Sequence, residues 1–422
     1  MPSSPRGSLV CLSLSMLLAS LGTSIANVGL PSLALAFAAS FQAVQWVVLA
    51  YLLAITAVIV SAGNLGDRLG RRRLLLGGLL LFTLACGLCG SAPSLNTLIA
   101  ARTLQGLGAA IMMAMTLGLV ADTVTKERIG RVMGLLGTMS AVGTAMGPSA
   151  GGLLLSLWGW RALFLAGVPL GLLAVVLAWR ALPADRQYLP AAGMVSLWSP
   201  LKDASLRTGL AMSTLVAAVI MATFVVGPFY LSRGLGLSPE WMGLAMAVGP
   251  CVAALTGVPA GRLTDRLGSQ RMTRAGLGIL LCGALLLSLA SGLIVYLGAL
   301  MVLTTGYSLF QAANNTAVMS EVEASRRGTV SGLLNLSRNL GLILGASALG
   351  AVFAWVTPDV IHAAPQSVAN GLHTTFAAAL CLIMLASALA WGHNHAVNGA
   401  QNTRCGKKTK KALRQTGLHR AS

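Results

Sequence analysis

The sequence predicts an all-α membrane protein of twelve transmembrane helices arranged as two pseudo-symmetric six-helix bundles. Three observations lead to this fold class. Of the 422 residues 56% are hydrophobic and only 9% are charged, whereas soluble proteins carry about 25% charged residues. Apolar stretches long enough to cross a bilayer recur along the whole chain. A repeat relates its two halves. Lipid is therefore the main solvent of this chain.

Twelve apolar stretches of about 20 residues match the thickness of a hydrocarbon core of about 30 Å. None alternates as a barrel strand does, so we expect helices, whose backbone groups are satisfied internally. The first stretch begins as a secretory signal does, but it continues as a full-length span without a clear cleavage site, so we expect it to be retained. Spans 1 to 12 are predicted near residues 8–31, 43–63, 74–92, 95–121, 132–156, 162–182, 208–232, 241–260, 273–292, 294–320, 329–356 and 371–392.

The charges of the loops indicate an orientation. With a cytoplasmic N-terminus, only Arg161 and Arg233 are basic residues of the outer loops. This asymmetry follows the positive-inside rule, so we expect both termini to be cytoplasmic in a bacterial plasma (inner) membrane. The formal net charge of +19 is thus explained by basic residues in the predicted cytoplasmic segments. No nucleic-acid partner is therefore expected. The cytoplasmic basic residues are Arg68, Arg71, Arg72, Arg73, Lys126, Arg128, Arg131, those from Arg180 to Arg207, Arg262, Arg266, Arg271, Arg274, Arg326, Arg327 and those of the C-terminal tail.

No cofactor or metal site is predicted. Cys86 and Cys89 form a C-x-x-C on an apolar helix without a second pair, which is typical of packing. The five histidines all lie at or beyond the ends of span 12. The basic tail from Arg404 to Arg420 is expected to be solvated or to bind anionic lipid weakly. We expect a monomer whose partners are the lipid bilayer and a small-molecule substrate.

An internal repeat relates the two halves at an offset of 198 residues. The segment from Gly63 to Arg73 follows span 2, and a similar segment from Gly261 to Arg271 follows span 8. The same offset relates several residues near span 5 to residues near span 11. Two segments with one offset indicate a duplicated six-helix unit, as in secondary transporters. The predicted parts are an N-terminal bundle (1–182), a cytoplasmic linker (183–207), a C-terminal bundle (208–392) and a basic cytoplasmic tail (393–422).

Three motifs resemble the major facilitator superfamily. They are G-x-x-x-D-R-x-G-R-R-R at 63–73, L-x-x-x-R-x-x-Q-G-x-G at 98–108 and G-x-x-x-G-P-x-x-G-G at 143–152. The segments 25–31 and 328–341 resemble its drug:proton antiporter branch in particular. The resemblance implies a secondary transporter that works by alternating access. It further implies export of a small apolar compound, as in multidrug efflux, with protons as the coupling ion.

One departure concerns proton coupling. That branch usually carries an acidic residue in helix 1 where this chain has Gly22, and none of its ten carboxylates lies in the middle of a span. Proton-coupled carriers generally need a titratable group within the membrane. A metabolite exporter or uniporter that is uncoupled, or coupled differently, is therefore an open alternative. A membrane enzyme or sensor is disfavoured, because the chain has neither a catalytic motif nor a soluble segment long enough for a domain.

The loops after spans 2 and 8 are predicted to form a gate. Asp67 can accept hydrogen bonds from the exposed N–H groups at the start of span 11, and Asp265 from those at the start of span 5, where the helix dipole favours an anion. The resemblance implies that Arg71 pairs with Asp122. These contacts would hold the cytoplasmic side shut. The alternative is that the charges only keep short loops soluble. The predicted gating residues are Gly63, Asp67, Arg68, Gly70, Arg71, Asp122, Gly261, Asp265, Arg266 and Gly268.

Two arginines lie deep in predicted spans, Arg102 in span 4 and Arg338 in span 11. A charge at the bilayer centre costs about 3 kcal/mol or more. Together with Gln105 they are predicted to act in coupling or to face the cavity; the alternative is a structural contact with backbone carbonyls or amide side chains. Two arginines without an acid favour neutral or anionic substrates and disfavour permanent cations.

The remaining candidates lie in span 5 and around the expected cavity. The span 5 glycines allow close helix packing, and Pro148 should kink the helix. The resemblance implies a cavity lined by spans 1, 2, 4, 5, 7, 8, 10 and 11; amides there bind either substrate or neighbouring helices. The span 5 motif comprises Gly143, Gly147, Pro148, Gly151 and Gly152, and the substrate-lining candidates are Asn27, Trp46, Tyr51, Phe224, Gln311, Asn314, Asn315, Asn335 and Asn339.

Overall fold

The computed structural model describes residues 5–123, 129–183, 203–320, 322 and 327–417. The side chains of Asp67, Arg68 and Asp122, and those of all residues after Trp391, lie outside this description. Most of the predicted linker 183–207 does so too, and the domain boundaries therefore stay predictions.

The described residues form helices and no strand. Eleven of the helices are long and apolar enough to cross a membrane, and predicted span 5 corresponds to a further helix of 30 residues. The twelve-helix fold class is confirmed. Spans 1 to 5 are Pro5–Ala36, Phe41–Leu69, Arg71–Gly90, Leu95–Thr123 and Ile129–Trp158; span 6 is Trp160–Leu165 with Gly167–Ala181; span 7 is Ala204–Phe229 with the π-helical turn Tyr230–Gly234; spans 8 to 10 are Pro239–Leu267, Ser269–Ser288 and Leu293–Ser320; span 11 is Arg327–Leu344 with the π-helical turn Gly345–Leu349 and Gly350–Val356; span 12 is Pro365–Gly417.

The helix of span 12 is longer than the apolar stretch that predicts it. The stretch ends near residue 392, whereas the helix continues to Gly417. Residues 393–417 of the predicted tail are therefore helical.

The last residue of each repeated D-R-L-G unit is a glycine that forms a tight turn between two helices. Gly70 lies between spans 2 and 3 with φ of 95°, and Gly268 lies between spans 8 and 9 with φ of 87°. A positive φ of this kind is favourable only for glycine. Each glycine ends one helix and begins the next, so these tight turns place consecutive spans side by side.

Glycines let two pairs of helices approach closely. A Cβ on Gly143 would lie 2.5 Å from the Leu17 carbonyl oxygen of span 1. Likewise, a Cβ on Gly341 would meet the Thr214 carbonyl oxygen of span 7. Span 5 therefore packs on span 1 through small residues, as span 11 packs on span 7. The two halves use the same contact at the repeat offset.

The two ends of the molecule differ in packing. We name the end that holds the start of span 1 and the glycine turns at Gly70 and Gly268 the basic end, and we name the other end the opposite end. At the opposite end the rings of Phe41, Phe229 and Phe353 pack across the halves, with centroids 5.0 to 6.1 Å apart. Gly152 of span 5 and Gly243 of span 8 are also in close backbone contact there. The opposite end is closed.

Spans 5 and 8 are apart towards the basic end. About four turns from Gly152 and Gly243, on similar faces of their helices, lie Gly137 and Gly257. A Cβ added at either would meet no atom within 4 Å. The two halves thus touch at the opposite end and separate towards the basic end.

Candidate binding cavity between the two halves

A cavity of about 470 Å³ lies between the halves, within the usual range for small-molecule sites. Its lining comes from the eight spans that the resemblance implied. The N-terminal half contributes Met16, Ser20, Thr23, Ser24, Asn27, Leu52, Ile55, Ile59, Met113, Leu117, Leu136, Gly137, Ser140 and Thr144, and the C-terminal half contributes Ile220, Met221, Thr223, Phe224, Met246, Gly249, Pro250, Ala253, Tyr296, Leu300, Thr304, Tyr307, Asn335, Arg338, Asn339 and Leu342.

Hydroxyl groups cover the wall formed by spans 1 and 5. The Ser20 and Ser140 hydroxyl oxygens are 2.6 Å apart and hydrogen-bonded across the two helices. Thr23 donates to the Ala19 carbonyl and Thr144 to the Ser140 carbonyl, at 3.1 and 3.0 Å. These protons are used within the helices, but each oxygen keeps acceptor capacity. This wall can therefore accept hydrogen bonds from a ligand.

Asn27 lies on the same wall. Its Nδ2 donates to the Thr23 and Ser24 carbonyl oxygens, both at 3.2 Å. Only an amide N–H can face two carbonyls, so its orientation is determined by span 1. The Oδ1 atom is buried and has no hydrogen-bond partner among the described residues.

The C-terminal half supplies the charge. Arg338 is half-buried on span 11, between the amides of Asn335 and Asn339 along the lining. Among the described residues, Arg338 has no hydrogen-bond, ion-pair or aromatic-ring partner, and no carboxylate or histidine lines the cavity. The cavity is thus positive, because the one charged side chain of its described lining is a guanidinium.

The remaining lining is apolar and adaptable. The N-terminal half contributes Met16 and Met113 to it. The C-terminal half contributes Met221, Phe224 and Met246. Methionine side chains are flexible and polarizable, so they adjust to ligands of different shape. The cavity can therefore hold an apolar body without requiring one outline.

Arg102 does not line the cavity, which corrects the expectation that it faces it. Its side chain is fully buried, with Nε donating to the Val47 carbonyl at 2.8 Å and Nη1 to the Gly22 carbonyl at 3.1 Å. Nη1 also donates to Gln105, and the guanidinium lies 4.2 Å from the centre of the Tyr51 ring. Arg102 therefore ties span 4 to spans 1 and 2, which is the structural alternative.

Gln105 is part of the same contact and is likewise absent from the lining. Its Oε1 accepts from Arg102 and its Nε2 donates to Cys86 Sγ at 3.0 Å. A Cβ on Gly22 would lie 2.8 Å from the Tyr51 hydroxyl and 3.3 Å from Phe82, so these two rings fill the space beside Gly22.

The substrate-lining candidates divide into two groups. Asn27, Phe224, Asn335 and Asn339 line the cavity. The others do not, because their helices present other faces to it: Trp46 is 49% exposed, Tyr51 is buried and donates to the Ala19 carbonyl at 2.7 Å, and Asn314 is buried and donates to the Gly209 carbonyl at 3.1 Å. Gln311 and Asn315 are also outside the lining.

The hydroxyl wall of spans 1 and 5 was not predicted from the sequence. Ser20, Thr23, Ser24 and Asn27 follow one another at i, i+3, i+4 and i+7, which is one face of a helix. In an apolar span, that polar stripe was the available signal.

The predicted gating residues are described only in part. Arg71 Nη1 donates to the Gly118 carbonyl at 2.8 Å, so Arg71 reaches the end of span 4. Asp265 and Arg266 are exposed, and Asp265 has no ion-pair partner within the described residues. Gly63 and Gly261 border open space. Asp67, Arg68 and Asp122 have side chains outside the description, and their roles stay predictions.

The span 5 motif performs two packing tasks. Gly143, Gly147 and Gly151 face span 1, where Ser24 donates to the Gly143 carbonyl at 3.4 Å. Gly152 faces span 8, and the Pro148 carbonyl would meet any Cβ on Gly243. The motif therefore joins span 5 to span 1 within one half and to span 8 of the other.

Residues 12–346 match the sequence pattern of the Major Facilitator Superfamily. The chain belongs to this family. It is 27% identical to the riboflavin transporter RibZ of Clostridioides difficile (strain 630), over 89% of this chain and 95% of that protein. It is 30% identical to the multidrug resistance protein Stp of Mycobacterium tuberculosis (strain ATCC 25618 / H37Rv), over 85% of this chain and 79% of that one.

A solved structure has the same fold. It is a bacterial homologue of the human lysosomal transporter Spinster, in an inward-facing and occupied conformation. The TM-score is 0.80 at 18% sequence identity, over 92% of this chain and 96% of that one. This major facilitator chain is accordingly an integral multi-pass membrane transporter and not an enzyme.

Proposed function

We propose that this transporter exports small, largely apolar compounds, neutral or anionic, across the bacterial inner membrane by alternating access. The observation that carries the proposal is the cavity between the halves, whose described lining is apolar, rich in hydroxyls and charged only at Arg338. A relative named as a multidrug resistance protein supports export of foreign compounds. An adaptable methionine-lined wall suits such a range of substrates.

The proposed orientation has both termini in the cytoplasm. The basic loops support it through the positive-inside rule. In this orientation the basic end is cytoplasmic, and the cavity is reached from inside the cell. An exporter collects substrate in this state, and the packed rings of Phe41, Phe229 and Phe353 prevent leakage outwards.

A second candidate is a metabolite exporter that is not coupled to protons. The hydroxyl wall of spans 1 and 5 favours it, because such a wall suits a ligand with several hydrogen-bond donors. The similarity to a protein named as a riboflavin transporter supports the same class. Proton antiport requires a titratable group in the membrane, and the described lining contains no carboxylate or histidine.

Transport of a compound panel tests the proposed preference for neutral and anionic substrates. Purified protein in proteoliposomes is supplied with neutral, anionic and cationic compounds, with and without an imposed pH gradient. We expect neutral and anionic aromatic compounds to be transported and quaternary ammonium compounds to be poor substrates, because their charge would repel Arg338. Tight, transport-linked binding of quaternary ammonium compounds would contradict the proposal.

A tryptophan in the cavity should block transport. Gly137 lines the cavity, and a Cβ there meets no atom within 4 Å. We expect Gly137→Trp to lower transport about tenfold or more, because the indole ring takes up space between the halves. The matched control is Gly77→Trp, at an exposed position with equally open surroundings and outside the lining. Equal activity of the two variants would show that substrates do not use this cavity.

The proposed gate at the basic end is tested at Asp67. If its carboxylate caps the start of span 11 when that end closes, Asp67→Asn weakens closure. We expect the variant to insert normally but to favour the state open at the basic end. The rate at which a cysteine at Gly137 reacts with an impermeant maleimide from the cytoplasmic side should rise. Unchanged reactivity together with normal transport would reduce Asp67 to a loop residue.

A further inference from the structure

The described lining of the cavity contains one charged group, and no described residue pairs with it. Arg338 of span 11 lines the cavity. Asn335, about one helical turn before it, and Asn339, next to it in the sequence, line the cavity as well. Among the described lining residues there is no carboxylate to pair with it. Arg102 is the other deep arginine, and it is fully buried outside the cavity lining. Its guanidinium donates hydrogen bonds to the Val47 and Gly22 carbonyls and to Gln105. The two arginines therefore differ in what they can bind.

A guanidinium between apolar walls attracts an anion. Its planar fork matches a carboxylate or sulfonate with two parallel hydrogen bonds, and neighbouring amides donate further ones. Phe224 and the methionines face the same space and can cover an apolar body. Because an unpaired charge in a low-dielectric site is costly, the ligand's own charge is the natural counter-ion.

We infer that Arg338 binds the acid group of an amphipathic anion, and that the membrane potential acting on this anion drives its export without a coupling proton. This inference rests on the proposed function and names its substrate class and energy source. Arg338 returns with the empty carrier in each cycle, so the net charge moved is that of the substrate. The inside-negative potential drives a monovalent anion outwards by about fifty-fold per 100 mV, the equivalent of about 2.3 kcal/mol.

This mechanism explains why the described lining of the cavity can lack an acid. An antiporter needs a group that takes up a proton on one side and releases it on the other. A carrier of anions needs none, because its substrate already responds to the potential. Gly22 in place of the usual helix 1 acid, with Tyr51 and Phe82 filling the space beside it, is then compatible with active export.

Three probes with one aromatic body test the inference. They are naphthalene-1-sulfonate, naphthalene-1-sulfonamide and 1-naphthyltrimethylammonium, which are anionic, neutral and cationic. Proteoliposomes are given an inside-positive potential with valinomycin and an inward K⁺ gradient, at equal pH on both sides. We expect the sulfonate to accumulate inside as the potential increases and the sulfonamide to equilibrate without accumulating. With the potential clamped at zero, a pH gradient should drive no accumulation.

Variants connect this behaviour to Arg338. We expect Arg338→Gln to lower sulfonate uptake about tenfold or more relative to sulfonamide uptake, because only the anion needs the guanidinium. Arg338→Lys keeps the charge and should keep the response to potential, with weaker sulfonate binding measured by probe fluorescence in detergent. The control is Arg161→Gln, since Arg161 lies at the opposite end against Trp160, at 4.6 Å from its ring centre.

Each contrary result has a separate meaning. Sulfonate accumulation driven by a pH gradient at zero potential would overturn the inference in favour of proton coupling. Transport of the sulfonamide without the sulfonate would overturn it while leaving the proposed export of neutral compounds in place. Transport of none of the three probes would overturn both the inference and the proposed function.

Discussion

Arg102→Ala is expected to destabilise the N-terminal half by about 2–5 kcal/mol, the range measured when a large buried side chain is removed. Arg102 is fully buried, stacked near Tyr51, and joins span 4 to carbonyls of spans 1 and 2. Alanine leaves a cavity at this junction and removes the donor that Gln105 faces. Thermal melting of the purified protein in detergent, together with the amount inserted in membranes, measures the loss.

Two further variants separate structure from transport. Arg102→Met fills a similar volume without charge, and buried ion contacts are often replaced by apolar groups at little cost. We expect it to recover much of the stability lost in Arg102→Ala and to transport in proportion to protein amount. Arg161→Ala, an exposed arginine at the opposite end, is the control. A stable Arg102→Met that fails to transport would contradict a structural role and indicate coupling.

Gly243→Val is expected to open the end that is closed in this structure. A Cβ on Gly243 would lie 2.5 Å from the Pro148 carbonyl oxygen and 2.8 Å from the Gly152 Cα. Both belong to span 5 of the other half, so a larger side chain forces the halves apart at this point. Each 1.4 kcal/mol of strain in the state closed at the opposite end changes its population relative to the state open there about tenfold. Transport should fall, because one state of the cycle becomes rare.

Accessibility from the opposite side measures this change. A cysteine at Asn27, in the cavity lining, is treated with an impermeant maleimide added on that side. We expect Gly243→Val to raise its reaction rate about tenfold or more, in line with the strain estimate. Gly257→Val is the matched control, since it lies on the same span about four turns away and meets no atom within 4 Å. Equal rates in both variants would mean that the glycine contact does not hold the closed end.

The family and the helices could be predicted because they depend on properties that read along the chain. Apolar length identified the spans, and the repeat at an offset of 198 residues identified related turns. The structure adds the reason for the glycines of this repeat, because Gly70 and Gly268 adopt a positive φ that is favourable only for glycine. Helix ends were less accessible, as the extension of span 12 to Gly417 illustrates: polar residues continue a helix without an apolar signal.

The two arginines mark the limit of such prediction. In sequence, Arg102 and Arg338 are equivalent, since each is one charge deep in an apolar span. Only the rotation of each helix about its axis decides that Arg102 meets the carbonyls of Val47 and Gly22, while Arg338 meets the cavity. The same rotation removes Tyr51 and Asn314 from the lining and brings in Ser20 and Ser140.

The amino-acid sequence by itself determined that this protein lies in a membrane, that it has twelve helices in two related halves, and that it resembles a transporter family. Hydropathy and repeats carry this information, because lipid imposes one length and one polarity on every span. The tertiary structure alone decided which side chains line the cavity. It also decided that the one charged side chain of the described lining is the guanidinium of Arg338. Those properties depend on how helices distant in sequence turn towards one another, which packing determines and no local pattern records.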